Sequence, residues 1–138
     1  MKSEILKLDP QGNFAASVNV VARLLIVGLF FLAGVSKISA YDATAGWMEA
    51  MGVPGALLPL VIIAEVLGAL LLIIGFQTRF VALGLAIFTL VSAFVFHLDF
   101  SDQTQFLMFY KNLSITGGFL ILMLLGAGRF SLDGKLNQ

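Results

Sequence analysis

Five ionisable side chains stand in or beside long apolar runs of this sequence: Arg23, Lys37, Glu65, His97 and Lys111. The amide of Asn112 follows the last of them. An ionisable group at the centre of a bilayer costs about 2.5–3.5 kcal/mol on insertion scales, whereas a leucine returns only about 0.3–0.6 kcal/mol. Each of these residues therefore needs a reason to be there. Glu65 can carry a proton. Lys37, His97 and Lys111 can attract an anion or donate to a carbonyl oxygen, and Asn112 is an uncharged partner for any of them. A structural role competes in every case. Lys37 and Lys111 can snorkel to the surface, His97 beside Asp99 can be an interface residue, and Arg23 can reach headgroups. Any of them can tie helices together. Glu65 is short and mid-span, so snorkelling does not explain it.

Depth along the helix axes sorts these groups. Arg79 and Arg129 serve as markers of one membrane surface. At about 1.5 Å of rise per residue, Glu65 lies about 21 Å above Arg79, His97 about 27 Å above Arg79, and Lys111 about 27 Å above Arg129. Lys37 closes the first apolar segment at the opposite surface, and Arg23 lies about 21 Å deeper. Glu65, Lys37, His97, Lys111 and Asn112 thus belong to one half of the bilayer, and Arg23 to the other. Glu65 and Lys111 differ by about 6 Å in depth, a distance that a lysine stem spans. A Glu65–Lys111 ion pair, direct or through water, is the expected contact, with Lys37 the second choice of partner. Arg23 needs a tilted helix to join them. Arg23 and Lys37 are fourteen positions apart, close to four turns, so both project from one face together with Gly34. Glu65, Gly68, Leu72 and Gly75 share a stripe on the second segment, where small residues allow close helix approach. Gly117-Gly118 can act likewise on the fourth.

The elements that must carry these groups follow from the placement of charge. From Pro10 to Ser36 the only charge is Arg23, and from Ala50 to Thr78 the only charge is Glu65. Phe80–Phe96 and Asn112–Gly128 contain none. A spanning helix needs roughly 20 mainly apolar residues. The expected helices run over 14–37, 54–76, 80–97 and 109–128, in a single domain over 1–138 with a tail at 129–138. The three-residue link Gln77-Thr78-Arg79 makes the second and third helices antiparallel neighbours. The long link from Ile38 to Val53 mixes Tyr41, Trp47, Met48 and Met51 with Asp42 and Glu49, which suits a short segment lying in the membrane interface. Pro54 restarts the chain near a helix N-terminus. Basic residues Lys2, Lys7, Arg79, Arg129 and Lys135 fall on one side, so the positive-inside rule places both termini in the cytoplasm. The first apolar segment is too long for a signal peptide and carries Arg23 within it. A faint repeat aligns Gly68–Phe80 with Gly118–Phe130, both closing in Arg-Phe.

Composition narrows the class. Of 138 residues 59% are hydrophobic and 12% charged, and mean hydropathy is +1.01. That is about half the charge of a soluble domain, too little to cover a polar surface, so the apolar excess faces lipid. The fold class is all-α integral membrane, a bundle of four transmembrane helices. Formal net charge is zero, with no basic patch for nucleic acid. Cysteine is absent, which excludes disulfides, thiolate metal sites and a thiol relay within the chain. No metal, haem or flavin motif is present.

Several ordered motifs together resemble the DoxX family. Arg23-Leu-Leu-Ile-Val-Gly-Leu-Phe-Phe-Leu-Ala-Gly-Val-Ser-Lys37 is similar to its first-helix signature. Glu65 with Gly68, Gly75 and Thr78-Arg79 resembles its second-helix motif. Phe109-Tyr-Lys111-Asn112-Leu, Gly117-Gly118 and Gly128-Arg-Phe-Ser-Leu-Asp133 resemble its fourth helix and tail. The likeness covers nearly all of the chain beyond residue 14 and is nearest to the short, stand-alone bacterial members. It implies a multi-pass protein of the bacterial inner membrane with four helices. It also implies a link to redox systems, since the family name comes from a membrane subunit of a thiosulfate:quinone oxidoreductase and other members are associated with oxidative stress and thiol redox. No set of catalytic residues carries over. The positions matching the family's polar pattern are Arg23, Lys37, Glu65, Lys111 and Asn112.

Three functions follow from these residues and this resemblance. The first is a redox-associated membrane subunit that binds a quinone-like or small anionic molecule in an outward-facing polar pocket, with a soluble or membrane redox partner. The second is a non-enzymatic scaffold that recruits partners, its buried charges fixing helix register. The third is a small-molecule transporter, which four helices could form only as a homo-oligomer.

Overall fold

A computed structural model describes residues 8–138. Lys2 and Lys7, which entered the expected orientation, lie outside the described residues. Among the described residues the structure is all-helical, with four helices long and apolar enough to cross a membrane. Helix α1 spans Asn13–Ser39, α2 Tyr41–Ala50, α3 Leu58–Ile74, α4 Thr78–Phe96, α5 Gln103–Leu125 and α6 Leu132–Leu136. A 3-10 turn, Gly55–Leu57, leads into α3. In lipid every backbone polar group must be satisfied within the protein, which is why the apolar runs are helices.

The four long helices α1, α3, α4 and α5 form the bundle. Helix α1 packs chiefly on α3, and α4 chiefly on α5, while α1 and α5 meet at few points. The core joins Val27 and Phe30 of α1, Ala69 and Leu72 of α3, Leu85 and Ala86 of α4, and Phe119 of α5. Outward-facing Leu25, Leu32, Ile87 and Leu124 remain exposed, as lipid contact requires. Gly34 sets the α1–α3 distance. A Cβ built there would lie 2.6 Å from Val66 Cγ2 and 3.1 Å from Glu65 Cβ, so no side chain fits without parting the helices.

The structure refines two links of the sequence expectation and moves one helix start. The link after α1 is itself a helix, α2, lying across one end of the bundle; Trp47 stacks on Phe96 of α4 with ring centroids 4.7 Å apart. Pro54 stands just before the 3-10 turn that runs into α3, near a helix N-terminus as expected, and Pro59 lies in the first turn of α3 itself. Helix α5 begins at Gln103, six residues before the expected start, because Asp102 caps it: its Oδ1 accepts from the backbone N–H groups of Thr104 (2.7 Å) and Gln105 (3.0 Å). A polar first turn with a capping carboxylate extends the helix beyond its apolar stretch.

The C-terminal tail is docked against the opposite end. The backbone N–H of Asp133 donates to Gly75 O (2.8 Å), and its carboxylate accepts from the N–H groups of Gln77 and Thr78 (2.8 Å each). Burial pushes the Asp133 carboxyl up, but these bonds at the start of α4 and the charge of Arg23 outweigh it and hold it below the ordinary value. Arg129 Nη1 donates to Asn13 Oδ1 (3.1 Å), so the start of α1 and the tail share one end of the molecule.

Candidate functional site

The end of the bundle beneath α2 holds a cavity of about 470 Å³. Lys37 on α1, Glu65 on α3, His97 at the end of α4, and Lys111 and Asn112 on α5 all line it. Trp47 and Met48 of α2 form its roof, and Phe30, Val61, Phe88 and Ile115 are among its apolar walls. Five of the six polar residues singled out in the sequence therefore surround one space.

The carboxylate of Glu65 is buried, 6% exposed. Its partner is Lys37, not the expected Lys111. Lys37 Nζ lies 3.0 Å from both carboxylate oxygens. The approach to Oε1 has hydrogen-bond geometry. The approach to Oε2 does not, and Oε2 is buried without another partner. The physical reason for Lys37 is azimuth. Depth along the axis allowed either lysine, but Gly34 brings α1 hard against α3 one turn below Lys37, whereas α5 packs on α4. Lys111 instead donates to Met108 Sδ (2.9 Å) on its own helix.

Around this pair stand two further polar groups. His97 Nδ1 is 2.7 Å from Gln105 Oε1. An amide oxygen accepts, so Nδ1 is the donor in this contact. Asn112 Nδ2 reaches Thr89 O at 3.4 Å, a long contact that leaves the amide free to turn toward the cavity. Gln105 carried no weight in the sequence because the fourth expected helix, 109–128, starts after it. The signal was the Asp102-x-x-Gln105 spacing of a capping box.

Arg23, the sixth residue, is not part of this cavity. It is 1% exposed and sits toward the other end. Its Nη1 donates to Leu72 O (2.9 Å) and Ile73 O (2.7 Å), Nη2 to Phe130 O (2.6 Å), and Nε to Asn19 Oδ1 (2.9 Å). Leu72 and Ile73 supply the last carbonyls of α3, which have no partner within the helix and lie at its negative dipole end. Arg23 thus caps α3 and fastens the tail, a structural use of charge. Gly75 completes the joint. It has φ 69°, and a Cβ there would run into Ser131 and lie 2.9 Å from Arg23 Nη1. Asn19 and Asp133 also build this clasp; the signals for them were the i, i+4 spacing of Asn19 to Arg23 and the place of Asp133 at the end of the tail motif.

What the cavity can do chemically follows from its walls. It offers a flat apolar body a place between aromatic and aliphatic side chains, and offers a polar head two ammonium groups, a carboxylate, an imidazole and an amide. Among the described residues no group of three His, Cys, Asp or Glu side chains could hold a metal ion.

Comparison with known proteins agrees with the architecture. A family model described as DoxX matches residues 18–98. The chain is 51% identical over 119 residues to the inner membrane protein YqjF of Escherichia coli (strain K12), covering 86% of this chain and 92% of that protein. It is 34% identical over 124 residues to the inner membrane protein YphA of the same organism, covering 84% and 88%. No solved structure matches the chain. With four candidate spans and matches over most of its length, this multi-pass inner-membrane protein belongs to the DoxX family.

Proposed function

We propose that the protein is a redox-associated membrane subunit that binds a quinone-like molecule in the cavity beneath α2. With the clasp end in the cytoplasm, as the basic residues favour, the cavity faces the outer half of the bilayer. The observation that carries the reading is the cavity's make-up. It is a largely aromatic and aliphatic space of about 470 Å³ whose polar groups include the Lys37–Glu65 pair, His97, Lys111 and Asn112 beside the hydroxyls of Thr44, Thr89 and Ser92. A small free anion has no use for the Trp47, Phe30 and Phe88 surfaces, whereas a ring with carbonyl oxygens uses both parts. Lys37, Lys111 or Asn112 donates to a carbonyl, and the Glu65 carboxyl, paired with Lys37 on the cavity wall, exchanges a proton with the bound ring. The chain has no cysteine, so electrons reach such a ring through a partner protein and not through a thiol pair here.

Trp47 is the only tryptophan and lines the cavity, so it reports on occupancy. In lipid nanodiscs, a short-chain quinone should quench Trp47 fluorescence saturably, and Glu65→Gln and Lys37→Gln should each weaken that binding. Quenching that rises without saturation, as for a quinone merely dissolved in lipid, counts against the reading. A scaffold role gains support from the Lys37–Glu65 contact at the tight α1–α3 crossing. Under that reading Glu65→Gln lowers stability and leaves quinone affinity unchanged.

A further inference from the structure

The charged groups on the cavity wall do not balance, and we infer that the ligand held there is an acidic amphiphile, a flat apolar ring whose polar end is ionised. This rests on the quinone-like reading and narrows it to the anionic members of that class. Glu65 is the one carboxylate on the wall, and Lys37 already holds it. Lys111 is the second ammonium on the wall, and no carboxylate lies within 4.0 Å of it among the described residues. Its one hydrogen-bond partner is a thioether sulfur, a weak acceptor. The nearby loop acids are engaged elsewhere. Asp102 caps α5. Asp99 accepts from the hydroxyl and N–H of Ser101, which hold it below the ordinary carboxylate range. The Lys111 ammonium is exposed at the mouth of this apolar space, where an ionised oxygen gives it a charge-assisted hydrogen bond and a neutral carbonyl gives a weaker one. The ring of such a ligand lies against Trp47 and Phe88, with its anionic oxygen at Lys111.

The test compares a hydroxynaphthoquinone, ionised at neutral pH, with its neutral methyl ether on the same skeleton. Each is titrated against Trp47 fluorescence of the full chain in nanodiscs made only of zwitterionic lipid. The ionised compound should bind about tenfold more tightly, the order of one charge-assisted hydrogen bond. Lys111→Gln should bring the two affinities together, and Lys111→Arg should restore the gap. Equal binding of the two compounds to the unaltered protein overturns the inference and leaves the quinone-like reading standing. Saturable binding of neither overturns both. A preference for the anion that survives in Lys111→Gln overturns the assignment to that lysine. Repeating the titration in nanodiscs containing phosphatidylglycerol separates the sources of negative charge. If that lipid abolishes the preference, a lipid headgroup takes the place at Lys111 and the inference fails.

Discussion

Arg23→Met removes a guanidinium that is 1% exposed while keeping an unbranched apolar stem in its place. The carbonyls of Leu72, Ile73 and Phe130 and Oδ1 of Asn19 then lose a donor. Three of these bonds join α1 to other elements, namely the end of α3 and the tail. Interhelical hydrogen bonds in membranes average about 0.6 kcal/mol, with a maximum near 1.7 kcal/mol, so three of them amount to roughly 2–5 kcal/mol. The donor is charged and faces the negative end of α3, which places the expectation in the upper half, about 3–5 kcal/mol. Arg23→Lys keeps the charge, but one ammonium cannot span the α3 carbonyls and Phe130 O together, so about half of the loss should remain. The measurement is reversible unfolding in mixed micelles titrated with sodium dodecyl sulfate, followed by circular dichroism. Limited proteolysis reads release of the tail alongside. Trp47 quenching by quinone should keep its affinity in the folded variant, since Arg23 is not on the cavity wall. A stability loss below about 0.5 kcal/mol, the range of an inconsequential surface substitution, refutes the structural assignment. Intact stability with lost ligand binding refutes it more strongly.

Three other outcomes are expected. Lys37→Met leaves Glu65 buried beside no cation and should cost about 3 kcal/mol, whereas Lys37→Met with Glu65→Met should recover most of it; a thermodynamic cycle in micelles that finds the two costs additive removes the pair from the account. Gly34→Ala pushes a Cβ to 2.6 Å from Val66 Cγ2 and should cost about 1–3 kcal/mol while parting Lys37 from Glu65, which the same unfolding titration and a weakened quinone affinity would register. The Asp133 carboxyl is held below its ordinary value, so its contribution is present above the unfolded carboxylate pKa and lost as pH falls through the lower folded value. Tail proteolysis should therefore rise on acidification below the normal carboxylate range, and Asp133→Asn should flatten that dependence.

The apolar runs bounded by charges suffice to count the spans, because the bilayer leaves a 20-residue apolar stretch no alternative to a helix. The same logic brings Lys37, Glu65, His97, Lys111 and Asn112 to one depth, since helical rise is constant and depth is a sum over residues. Where a helix begins is less legible. Asp102 and Gln105 belong to α5 through a capping carboxylate, and an apolar count stops short of them. Which cation meets Glu65 was not legible at all. That depends on which helix lies beside α3 and how closely, and the deciding residue, Gly34, acts through the absence of a side chain. Arg23 shows the same division. Its burial follows from its place in an apolar run, but three of its four partners are main-chain carbonyls 49 to 107 residues away, which carry no side-chain signature. Axial position is written in one dimension along the chain; the packing of α1 on α3, and of the tail beneath both, exists only in three.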